Sequence, residues 1–188
     1  MKVINLFAPA GIGKSTVAAG LVWLMKSHQI RAEQVTEYAK DLVHEGLTLA
    51  ELREREDEIL AEQGARQERL LGKYDFAVTD SPLPFCSFYA GEPADAPFSR
   101  RVAERFGRFD NLNFFLSRDL SDPNAFDTTG RVHDREASLA AQGAMRAFLQ
   151  REGIVCTELT ISLATPWDIL AQVLPGAAVC ACPFAPVR

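Results

Sequence analysis

Residues 8–16 read APAGIGKST and follow directly on the apolar run KVINLF, residues 2–7. The spacing matches the phosphate-binding loop G-x-x-x-x-G-K-[ST] at every fixed position except the first, where Ala8 stands for glycine. Such a loop wraps backbone N–H groups around a phosphate while the next helix points its positive end at the same charge. Glycine is needed where the backbone takes a positive φ or touches the phosphate. Ala8 precedes Pro9, whose ring pushes the residue before it toward extended backbone, so Ala8 is expected to continue the first strand. Gly11 and Gly13 remain where the loop must curl. The amides of Ala10, Gly11, Ile12, Gly13, Lys14, Ser15 and Thr16 are therefore expected to cradle a nucleotide's phosphates. Lys14 would reach the terminal ones, and the Ser15 hydroxyl would hold magnesium. Context favours a true P-loop over a chance turn: KVINLF suits a buried parallel strand, and Val17, Leu21, Leu24 and Met25 recur at helical spacing after it.

The remaining pattern alternates strand with helix, which predicts a parallel sheet covered on both faces. After the first helix, IRAEQVTE (30–37) reads as a strand, and residues 38–45 and 48–73 read as helices. YDFAVTD (74–80) is a third strand, stopped by Ser81-Pro82, and a loop rich in proline and phenylalanine follows. A basic helix near 98–108 leads to the strand NLNFFLS (111–117). Residues 118–133 are irregular and polar. A helix from about 134 to 152, the strand GIVCTEL (153–159) and a helix near 166–174 complete a single domain over 1–174. The tail, 175–188, has no periodicity and is expected to be poorly ordered.

A chain of 188 residues with net charge −5 suits one α/β domain and argues against a general nucleic-acid coat, while leaving room for a local basic groove. No apolar run approaches the ~20 residues of a membrane span. The N-terminus runs straight into a strand rather than a signal peptide, so a cytoplasmic protein is expected. Cys86, Cys156, Cys180 and Cys182 lack paired metal spacing and are expected to be reduced, non-functional thiols.

Ligands of open α/β sheets gather beyond the carboxyl ends of the strands, which directs attention to Glu37, Asp80 and the segment after Ser117. Asp80 ends an apolar strand, where a carboxylate can hold magnesium or accept a hydroxyl proton; a solvated strand-end cap is the plainer reading. Ser81 follows it where motor-type ATPases place a water-activating glutamate, which disfavours a hydrolytic machine. DTTG (127–130) matches a GTPase motif but comes far too late in the chain, with no guanine-reading N-K-x-D. Glu37 can orient or deprotonate an acceptor hydroxyl, or merely favour a helix start. Gln63 and Arg66 share a stripe with Ile59 and Leu70, so they either look into a substrate pocket or edge the core. Lys40 and Asp41 read as a solvated face. In FDTTGRVHDREAS (126–138), Arg131 beside Gly130 suits a lid arginine closing over a moving phosphoryl group, with Arg135 and His133 as lesser candidates. Arg101, Arg105 and Arg108 near Phe98, Phe106 and Phe109 form either a nucleic-acid grip or a solvated helix face.

Taken together, the P-loop, TEYAKDLV, the helix with Gln63 and Arg66, FAVTDSPL, NLNFFL and the arginine-bearing segment resemble small phage-type P-loop kinases related to thymidylate kinase. EYA with a later TD is also similar to nicotinamide riboside kinases. The resemblance covers about residues 1–160. It implies a P-loop NTPase fold with a five-stranded parallel sheet, an arginine-bearing lid at about 118–135, and ATP with Mg2+ as cofactors. One branch of these kinases phosphorylates 5-hydroxymethyluracil within phage DNA on the way to hypermodified thymines, and the basic helix would suit that acceptor. Thymidylate kinases usually carry Asp-Arg after the third strand. Asp80-Ser81 here implies an acceptor without a free phosphate, either a bare nucleoside or a base already in DNA. The expected roles are Lys14, Glu37, Asp80 and Arg131 in catalysis, Glu37, Gln63, Arg66 and Ser81 at the acceptor, and Ser15 with Asp80 at the metal. The rivals are a soluble nucleoside or nucleoside-monophosphate kinase and a nucleotide-binding regulatory module without transfer activity.

Overall fold

The structure, a computed structural model, describes residues 1–91, 96–118 and 135–176, with side chains in the last segment from 140 onward. Five strands form one sheet in the order β2-β3-β1-β4-β5: β1 (Lys2–Phe7), β2 (Ala32–Val35), β3 (Phe76–Thr79), β4 (Asp110–Ser117) and β5 (Thr157–Thr160). β2 and β1 both run parallel to β3, with Val35 and Asn5 each in register with Thr79, and β4 runs parallel to β5. Val3 to Phe7 and Phe76 to Thr79 are buried without alternation, as strands covered on both faces must be. The helices are α1 (Lys14–Ser27), α2 (Tyr38–His44), α3 (Leu49–Glu54), α4 (Glu56–Glu68), α5 (Pro84–Ala90), α6 (Pro97–Phe106), α7 (Arg135–Arg151) and α8 (Thr165–Val173). Among the described residues no helix is long and apolar enough to cross a membrane.

The chain divides into two compact units. The first comprises residues 1–5 and 31–112. Its core joins Val3, Val35 and Ala77 of the strands to Leu42, Leu52, Ile59, Leu60, Leu83, Cys86, Phe98 and Val102 of α2 to α6 and the segments between them. The second comprises residues 6–30 and 113–188. Here α1 lies against α8, with Pro166 packed where a side chain at Gly20 would begin. Leu21, Leu24, Met25, Phe115, Leu116, Met145, Ile169 and Leu170 of this unit are fully buried.

Three boundaries differ from the sequence expectation. The helix expected over 48–73 is broken at Arg55 (φ −111°, ψ 18°) into α3 and α4. The proline- and phenylalanine-rich loop is largely a helix, α5, with Pro84 in its first turn, where a missing N–H costs nothing, and Gly91 closing it at φ 70°. β5 begins at Thr157, four residues later than GIVCTEL suggested. The lid expected near 118–135 and the tail beyond 176 lie outside the described residues, apart from Arg118 and the backbone of Arg135.

Candidate functional site

The P-loop belongs to the second unit. β1 stops at Phe7, and the chain turns through Gly11 and Gly13, whose φ values of 80° and 111° are in the left-handed region. Gln29 is the only non-glycine with a positive φ among the described residues, so Ala8 takes a conformation open to any amino acid. Gly13 caps α1 from the left-handed region, no side chain caps the helix, and its first turn carries no acid, which is the arrangement an anion site requires. The Lys14 ammonium arches over the loop, donating to the carbonyls of Ala8 at 2.8 Å and Pro9 at 3.1 Å. Ala10, Gly11, Ser15 and Thr16 are exposed, whereas Ile12 is buried. Arg118, at the end of β4, donates to the carbonyl of Ile12 at 3.4 Å. Ile161, just past β5, puts its Cδ1 3.0 Å from where a Gly13 Cβ would stand. Neither Arg118 nor Ile161 stood out in the sequence, since each reaches the loop through the sheet and not through a motif.

The carboxylates belong to the first unit. The shared register at Thr79 places Glu37 and Asp80 just beyond the carboxyl ends of neighbouring strands. Asp80 is 5% exposed. Ser81 is also buried, its backbone N–H donating to Thr79 Oγ1 at 3.1 Å. Glu37 is half-buried and precedes α2. Its charge reaches α5: burial, reinforced by the Glu37 carboxylate, pushes the Tyr89 hydroxyl up to about 12. Burial and then the Glu56 charge push the Cys86 thiol up, with Arg105 opposing and Glu37 adding a little. Tyr89 is set edge-on against Phe85 and Phe88. These α5 neighbours of Glu37 were hidden because the segment read as a loop.

Gln63 and Arg66, expected at the acceptor, hold the chain's own backbone. Gln63 is 1% exposed and bonds to Thr36 and Tyr38 on either side of Glu37. Arg66 donates to Thr36, and its guanidinium is ion-paired to Asp41 at 2.7 Å and Glu62 at 3.0 Å. A cavity of about 400 Å³ beside β2 is lined by Gln34, Thr36, Asp41, Glu62, Arg66 and Arg69, among others. Arg66 and Arg69 pair with Glu62 there and hold its carboxyl below the usual range. Asp41, read as solvated helix face, is thus a fixed partner of Arg66.

Two of the three arginines on the basic helix are also engaged. Arg101 pairs with Asp57 and lies over the Phe98 ring. Arg105 pairs with Glu68 at 3.0 Å, donates to the carbonyl of Leu60, and occupies the slot left by the missing side chain of Gly64. Arg108 is exposed. Arg131 and His133 lie outside the described residues, as do Cys180 and Cys182.

No family model and no curated protein matches the chain. Among solved structures it is similar to the crystal structure of thymidylate kinase from Ehrlichia chaffeensis, with a TM-score of 0.60 and 12% identity over 92% of this chain and 97% of that one. It is also similar to the YorR protein of Bacillus subtilis in complex with phosphorylated GDP, with a TM-score of 0.55 and 15% identity over 91% of this chain and 95% of that one. The chain thus has the thymidylate kinase-like P-loop NTPase fold, a five-stranded parallel sheet with flanking helices.

Proposed function

We propose that this chain is an ATP-dependent kinase that transfers the γ-phosphoryl group to a hydroxyl on a pyrimidine nucleoside-type acceptor. The observation that carries this reading is the loop at Gly11–Lys14, curled by two left-handed glycines and opening a helix with neither cap nor acid in its first turn. The fold's likeness to a thymidylate kinase supports it.

In the reaction, the acceptor oxygen forms a bond to the γ-phosphorus as the bond to the β–γ bridging oxygen breaks, and ADP leaves. The loop amides and the Lys14 ammonium neutralise the phosphates, and Glu37 takes the hydroxyl proton. A serine hydroxyl at the start of α1 and a buried strand-end carboxylate form an oxygen donor set that suits magnesium, so Ser15 and Asp80 would hold it. When bound, magnesium neutralises charge on the transferring phosphates. Arg131 is the residue we assign to close over the site, excluding water that would otherwise consume ATP.

Within this reading, 5-hydroxymethyluracil in DNA is the acceptor that the family resemblance indicates, with Arg101, Arg105 and Arg108 toward the backbone. A free nucleoside is the second reading, favoured by the pairing of Arg101 with Asp57 and Arg105 with Glu68. Labelled ATP should be offered with duplex containing hydroxymethyluracil, ordinary duplex, free nucleosides and monophosphates. Label confined to the modified duplex supports the first acceptor, and label confined to nucleosides or monophosphates supports a soluble nucleoside or nucleoside-monophosphate kinase. ATP binding without transfer to any acceptor overturns the kinase in favour of a regulatory module. Lys14→Ala should lower transfer at least ~100-fold while leaving the protein folded.

A further inference from the structure

Glu37 sits in the turn between β2 and α2, and two side chains from α4 hold both of its neighbours. The Gln63 amide Oε1 accepts from the backbone N–H of Tyr38 at 2.9 Å, and its Nε2 donates to the carbonyl of Thr36 at 3.2 Å. One buried amide therefore spans the residue between them. One turn further along α4, Arg66 Nη1 donates to Thr36 Oγ1 at 3.0 Å and to the Thr36 carbonyl at 3.4 Å. The same guanidinium lies 5.1 Å over the Tyr38 ring, steadied by Asp41 and Glu62.

We infer that Gln63 is a positioning residue for phosphoryl transfer: by clamping the peptide groups before and after Glu37, it fixes the direction in which that carboxylate meets the acceptor hydroxyl. The inference rests on Glu37 being the proton acceptor proposed above. An amide suits the task because it carries one acceptor and one donor, matching one N–H and one carbonyl. Leucine would satisfy neither, and glutamate would turn a second acceptor toward the Thr36 carbonyl. At 1% exposure water cannot easily replace the lost partner, so each defect acts on the backbone itself. A reacting group displaced by a fraction of an ångström loses much of its orientation advantage.

The test uses Gln63→Leu, the near-isosteric Gln63→Glu, and Glu37→Gln, each assayed with the acceptor found above and with thermal melting. Gln63→Leu should lower kcat about 10- to 100-fold through lost orientation. KM for ATP should stay within about twofold, because the nucleotide is held elsewhere. Gln63→Glu should shift the acid limb of the kcat–pH profile upward, since a second carboxylate beside Glu37 makes it hold its proton more tightly. A merely structural role would lower the melting temperature but leave kcat per folded molecule and the acid limb unchanged, and that result overturns the inference. If Gln63→Leu does not fold, the acid limb of Gln63→Glu decides alone. Glu37→Gln separates the two failures. Full transfer in that variant removes the reading on which the inference rests. Its inactivity, alongside wild-type behaviour of both Gln63 variants, removes the inference alone.

Discussion

At Gly13 an added methyl group would stand 3.0 Å from Ile161 Cδ1, on a backbone whose φ is 111°. Both the contact and the left-handed backbone oppose it, and the latter alone costs a side chain about 1–2 kcal/mol. Gly13→Ala should therefore lower stability by about that much in urea titration and weaken ATP binding, because any relief moves the cradle itself. Ala8 presents the opposite case. Its φ is not positive and it is fully buried, so glycine there would add freedom to the unfolded chain and give up the burial of a methyl group. Restoring the motif with Ala8→Gly should cost about 1–2 kcal/mol and leave ATP affinity unchanged. A gain in affinity would show that the glycine serves the phosphate after all. The rule behind both expectations is that a motif's letters matter only where the backbone or the ligand leaves no room for a side chain.

Among the elements, the break between α3 and α4 has a chemical result. Thr48 and Glu51 form a capping box that starts α3, and α4 restarts at Glu56, one residue past the bend at Arg55. Burial pushes the Glu56 carboxyl up to about 7, with the Arg53 charge opposing. Between its ordinary 4.5 and 7 the folded chain holds a proton that the unfolded chain releases, so stability should fall as pH rises through that window. Glu56→Gln should flatten the dependence and be the more stable protein at pH near 8, by about 1 kcal/mol after allowing for solvent screening of a half-exposed group. Melting temperatures of both proteins across the pH range check this. The break also shows where the sequence was hard to read. An even supply of Glu, Arg, Leu and Ala favours helix at every position from 48 to 73 and hides a bend, although T-x-x-E at Thr48 was a visible start signal. Pro84 read as loop because proline forbids a helix interior, yet in the first turn it is harmless. β1, the P-loop and the helix after it were legible because local backbone requirements and local periodicity agree. Gln63 and Arg66 were legible as polar residues on an inward stripe. That they grip the turn at Thr36–Tyr38 was not, because the partner lies 25 or more residues away and nothing local encodes it.

For the whole molecule, the net charge of −5 must be reconciled with any polyanionic acceptor. Releasing counterions from DNA makes affinity fall with salt by a slope near −0.9 per phosphate neutralised. With Arg101 paired to Asp57 and Arg105 to Glu68, Arg108 is the one of the three left to meet a duplex, and its KM should rise about threefold between about 50 and about 200 mM salt. A free nucleoside should show almost no change, so the salt series discriminates acceptors independently of the label. The rim of the sheet adds a different consequence. β2 is the outermost strand on its side, and its Gln34 N–H is taken by the neighbouring Glu33 carboxylate while the Thr36 carbonyl is held by Gln63 and Arg66. Main-chain groups occupied in this way are closed to a strand arriving from another molecule, which is how uncovered rims otherwise template fibrils. Loosening the clamp around Glu37 would free one such group at the end of that rim.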